Sequence, residues 1–154
     1  MDLSNQTVFG VKRSRRRIAV ATAGLLIVCT LAFILRLDTV IPIGGWALGF
    51  TVFLTGLVIA AYAGWARGGA LPGLGSVFLL LLWMAFFPPA GAFLLRREYA
   101  GSRYDTISLS DALWSPVTEL NVAIELVPYL LIVVLLFGGG AFLFGARVDR
   151  VFDS

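Results

Sequence analysis

Histidine is absent from this sequence, cysteine occurs once, and charged side chains make up only 14% of the 154 residues. Each shortage excludes something. Without histidine the chain lacks the commonest ligand for zinc, copper or haem and the usual general base near neutral pH. With Cys29 alone no disulfide can close within the chain, and dithiol–disulfide exchange, which needs a cysteine pair, drops out. Ser76 and Cys29 have no base spaced to activate them, and no constellation of nucleophile, base and metal ligands is visible. The chain is therefore expected to be no enzyme and to need no cofactor.

Apolar side chains take the place of the missing charge. The sequence is 59% hydrophobic, with a mean hydropathy of +0.92, against about 45–50% apolar residues in soluble domains. Too little polar surface remains to coat a soluble globule of this size, so lipid is the expected solvent for much of the surface.

Four apolar runs approach the ~20 residues that a helix needs to cross a hydrocarbon core of about 30 Å. They cover approximately 18–35, 43–65, 76–95 and 118–146. No alternating segments of ~10 residues suggest a barrel. The expected fold is all-α: an integral membrane bundle of four transmembrane helices, with a short interfacial helix in the outer loop 96–117. Residues 1–17 and 147–154 would be tails.

Orientation follows from the basic residues. Lys12, Arg13, Arg15, Arg16, Arg17, Arg67, Arg147 and Arg150 fall on one side, and Arg36, Arg96, Arg97 and Arg103 on the other. The positive-inside rule then puts both termini in the cytoplasm of a cell-membrane protein. Four spans also require the termini to share a side. The stretch "SRRRIAVATAGLLIVC" also fits a cleaved export signal, but its apolar run is long and no small-x-small cleavage site follows it. It is read as an uncleaved span. The "KRSRRR" cluster is expected to associate with anionic lipid, each cation adding ~1 kcal/mol, and not with nucleic acid. Membrane lipid is the expected partner, alongside other membrane subunits or a second copy of the chain.

In lipid, small residues let helix backbones approach closely. Gly45 and Gly49, then Gly56, Ala60 and Gly64, recur at four-residue steps in the second run, and Ala141 and Gly145 do so in the fourth. These seven are the candidate packing positions, and the second and fourth helices the expected tight pair. Trp46 and Trp65 bracket the second run like interfacial anchors. Trp83, in the middle of the third, reads as a packing residue.

Three prolines interrupt the pattern. Pro88 and Pro89 lie in the third run and Pro128 in the fourth. Each lacks a donor N–H and crowds the preceding turn, so helix breaks are expected at all three. Near Pro128, Asn121, Glu125 and Tyr129 recur at helical spacing and share a face. That face is expected to turn into the bundle near its outer end. Glu125 would there pair with Arg36, Arg96 or Arg97, or line an outward vestibule beside the Pro88–Pro89 step. In the outer loop, Ser108 and Asp111 have capping spacing for the interfacial helix, and Pro116 suits a first helical position.

Two functional readings remain. One is a non-catalytic accessory or assembly subunit of a membrane complex. The other is a small channel or transporter with a polar vestibule at Glu125.

Overall fold

The computed structural model describes residues 8–35, 45–94 and 116–152, and among them all regular structure is helical. α1 spans Lys12–Ile34, α2 Gly45–Trp65 and α3 Ala70–Leu94. α4 runs Pro116–Val133 and continues through a π-helical turn, Val134–Gly138, into α5, Gly139–Phe152. Three stretches are long and apolar enough to cross a membrane: Lys12–Ile34, Ala70–Gly91 and Leu120–Asp149. The apolar part of α2, Gly49–Trp65, is shorter. The expected interfacial helix, Ser108, Asp111 and the arginines Arg36, Arg96, Arg97 and Arg103 lie outside the described residues.

α2 and α3 form the middle of the bundle. α1 packs on both from one side, mainly on α3. On the other side α4 packs on α3, and α5 then crosses to lie along α2. The central position of α3 shows in its burial: 33% of its apolar window is buried, against 11% for α1 and for Leu120–Asp149. Ala60, Val77, Leu81 and Val134 form the core, with Phe53, Leu57, Leu74 and Leu130 packed around them.

α2 and α5 make the most extensive contact in the fold. Its cause is the small residues. A Cβ added at Gly64 would run into the carbonyl oxygen of Phe142 and the amide nitrogen of Ala146. One added at Gly145 would strike the carbonyl oxygen of Ala61. The two backbones therefore touch, which only residues without side chains allow. Ala60, fully buried, and Ala63 continue the surface toward α3, where Gly73 lies against them. Gly56 faces Val77 and Leu80 of α3, where an added Cβ would come within 3.3 Å of the Leu80 side chain, and Ala141 borders the core. Gly49 meets just the terminal methyl of Met84, a flexible tip. Gly45 opens α2.

The expected breaks at proline are not interruptions of the helices. α3 continues through Pro88 and Pro89, and α4 through Pro128. Leaving the helix in apolar surroundings would free several backbone groups, whereas each ring removes one hydrogen bond. The irregularity falls elsewhere, at the π turn. That turn lies where the last helix changes neighbours from α3 to α2. Gly138 at its end sits against Leu74 and Val77 of α3.

The α2–α5 contact predicts a sharp contrast among glycines. Gly145→Ala and Gly64→Ala should each cost about 1–3 kcal/mol, as overpacking against an unyielding neighbour does. Gly140→Ala, whose new methyl meets nothing within 4 Å, should leave the thermal unfolding midpoint in detergent unchanged. Equal midpoints for Gly145→Ala and Gly140→Ala would show that the backbones do not touch.

Candidate functional site

The polar residues expected to form an outer site do not turn inward. Asn121, Glu125 and Tyr129 are all exposed on α4, as is Pro128. The buried residues of this stretch are Ala123 and Val134, with Leu130 packed against the core. Residues two apart on a helix point to nearly opposite sides, so Ala123 inward places Asn121 and Glu125 outward. The small alanine wins the interior because it lets α4 approach α3 closely, and a carboxylate there would need a partner. Pro89 is fully buried and Pro88 half-buried on α3. The prolines of α3 and the carboxylate of α4 thus do not share one inward-facing wall.

Polar groups gather instead at two other places. The first is the seam between α1 and α3. Thr22 Oγ1 lies 2.8 Å from Ser76 Oγ and 2.9 Å from the Ile18 carbonyl, and Ser76 Oγ lies 2.8 Å from the Pro72 carbonyl. Two hydroxyl protons serve three short contacts, so one hydroxyl donates to the other and the second donates to a carbonyl. Both residues are buried, and the pair satisfies itself. Further along, Trp83 Nε1 donates to Thr30 Oγ1 at 3.0 Å. The Trp83 ring stacks on Phe87 at 5.0 Å, and Phe33 meets Phe87 edge-on at 5.5 Å. Trp83 is thus a packing residue with its indole N–H satisfied. The Phe33 ring also covers Gly91, where a Cβ would come within 2.9 Å of it.

The second place is the end of the bundle where α1 begins, α2 turns into α3, and α5 finishes. α2 stops with the Gly68 amide donating to the Ala63 carbonyl at 2.8 Å. This is the six-to-one bond of a Schellman stop, whose left-handed residue is usually glycine. Here it is Arg67, at φ 53°. The Arg67 carbonyl accepts from the Val11 amide at 2.9 Å, and its Nε donates to Asp149 Oδ2 at 2.9 Å. Ser14 Oγ donates to the Ala66 carbonyl at 2.8 Å. Gly10 and Gly69, both at positive φ, face each other so closely that a Cβ on either would enter the other's backbone. One arginine therefore holds the start of α1 through its backbone and the end of α5 through its side chain. Asp149, Ser14 and the Gly10–Gly69 contact carried no local sequence signal. The partners are far apart in the chain.

Among the described residues no group of three or more His, Cys, Asp or Glu side chains comes together to hold a metal. No family model matches the chain, and neither the curated proteins nor the solved structures contain a match.

The Arg67 turn separates backbone from side chain. Arg67→Ala removes the ion pair and keeps the left-handed strain, whereas Arg67→Gly removes both. An ion pair this exposed contributes at most about 1 kcal/mol, and glycine relieves roughly 1 kcal/mol of left-handed strain. Chemical denaturation should find Arg67→Gly close to the parent and Arg67→Ala about 1 kcal/mol below it. The reverse ranking would refute the Schellman assignment.

Proposed function

We propose that the chain is a four-span protein of the cell membrane, with both termini in the cytoplasm, that works without catalysis or cofactor as an accessory or assembly subunit of a larger membrane complex. The observation that carries this reading is what fills the middle of the bundle. Between α2 and α5 peptide backbones meet directly at Gly64 and Gly145. Between α1 and α3 the buried hydroxyls of Thr22 and Ser76 spend their protons on each other and on the backbone. A middle closed by backbone contact and self-satisfied hydroxyls suits a protein whose work is done on its surface.

Several features support the finer points. Three helices are long enough to span, and α2, at 21 residues, would be ~32 Å long at ~1.5 Å per residue. The start of α1 and the end of α5 are both tied to the α2–α3 turn, so they share one end of the bundle. Basic residues cluster at that end, which favours the cytoplasm. Asn121, Glu125 and Tyr129 form an exposed polar stripe on α4. A stripe of this kind is costly against acyl chains and suits a second protein. The exposure of that stripe favours the subunit reading over the channel reading.

Topology is tested by single cysteines in a Cys29→Ala background. Ser4→Cys and Ser154→Cys should both react with an impermeant maleimide only after cells are permeabilised. Reaction of one terminus from outside would end the four-span reading. The subunit role is tested with a photo-crosslinker replacing Tyr129 in native membranes. A single adduct of defined mass at near-stoichiometric yield is expected. Lipid adducts alone, with the chain recovered by itself in mild detergent, would count against it. So would an ion leak in reconstituted vesicles that Glu125→Gln abolishes.

A further inference from the structure

The inward face of α1 is set by Ser14, Ile18 and Thr22, which bond to or pack on the α2–α3 turn and α3. The residues of the opposite face are exposed. The helix begins at Lys12, so the basic cluster lies on its first two turns and not in a loose tail. Three of its cations, Arg13, Arg16 and Arg17, line an open groove with Val20 and Ala21 beneath them. All three are exposed, and no acidic residue occupies the first turn. Like charges three and four residues apart repel one another, so the trio favours an anion between them. The same face continues down the helix as an apolar stripe, with Val20, Ile27 and Leu31 each at least half exposed. Gly24 lies within it, and a Cβ there would meet nothing within 4 Å. The stripe thus carries a shallow notch directly below the cations.

We propose that this face of α1 binds an anionic phospholipid, with the phosphate held by Arg13, Arg16 and Arg17 and an acyl chain lying along Val20, Ile27 and Leu31. The proposal rests on the membrane reading above. Arginine fits the role because its planar fork gives paired hydrogen bonds to phosphate oxygens. The apolar continuation decides the class of ligand. A free phosphate or a nucleic acid would answer the charge and leave the stripe uncovered. A phospholipid matches both parts in order, charged head above and chain below, at the depth where a cytoplasmic leaflet carries its anionic headgroups.

Native mass spectrometry of the full chain in neutral detergent tests this. The probes are phosphatidylglycerol and phosphatidylcholine of equal chain length. Phosphatidylglycerol should be retained at least about ten-fold better, since three cations at ~1 kcal/mol each allow more than that. Replacing Arg13, Arg16 and Arg17 together with glutamine should abolish the preference. Replacing Lys12, Arg15 and Arg147 together, which removes equal charge outside the groove, should preserve it. Equal retention of the two lipids by the unmodified chain would overturn the proposal without any variant, as would equal loss in both triple variants. Displacement of phosphatidylglycerol by glycerol phosphate at equal concentration would also overturn it, in favour of a soluble anion. The membrane reading has its own failure: release of the chain from membranes by alkaline carbonate. A chain that stays embedded and shows no lipid preference refutes this inference alone.

Discussion

The fold depends on peptide backbones in contact where α5 crosses α2. At Gly64 and Gly145 neither helix has a side chain to hold the other away, so dispersion and backbone dipoles act at the shortest range available to two helices. For a chain solvated by lipid this matters more than it would in water. Apolar side chains gain little by leaving acyl chains for each other, and close approach must supply the attraction. The rest of the architecture accommodates this contact. The last helix first packs on α3, passes through a π turn ending at Gly138, and only then reaches α2. The wider turn lets one continuous helix serve two neighbours.

The end of the bundle near the α2–α3 turn is tied by a different means. Arg67 takes a left-handed conformation that side chains disfavour. In return it presents its carbonyl to Val11 and its guanidinium to Asp149. The Gly10–Gly69 approach lets the chain before α1 lie against the same turn. Three chain segments are fixed at one end by backbone hydrogen bonds, one exposed ion pair and two glycines. With that end tied and the middle filled, two of the exposed surfaces are the polar stripe of α4 and the outward face of α1. They belong to different helices, so the proposed protein contact and the proposed lipid contact use different residues.

Polar groups sort by whether the fold itself can satisfy them. Hydroxyls can bond to one another or back to their own helix, and the buried Thr22 and Ser76 share their two protons between each other and a helix carbonyl. The Trp83 indole finds Thr30 across the seam. A carboxylate inside a helix finds no free amide on its own turns, and Glu125 is exposed. This sorting undoes the expectation that Asn121, Glu125 and Tyr129 would face inward. Helical spacing shows that they share a side and does not say which side it is.

The sequence by itself determined that the chain is helical and carries helices apolar enough to cross a membrane. An apolar excess, long uncharged runs and glycine-alanine spacing are properties of neighbouring residues, and helices form from neighbours. It also marked the residue types that make α2 and α5 meet, because only small residues permit that approach. The tertiary structure alone decided which face of each helix turns in, and where the last helix changes partner. It alone brought Asp149 to Arg67 and Gly10 to Gly69. It also showed that α3 and α4 continue through their prolines. These outcomes depend on segments far apart in the chain competing for one surface. A local pattern carries the period of a helix, and the angle at which that helix meets its neighbours is set only when both are in place.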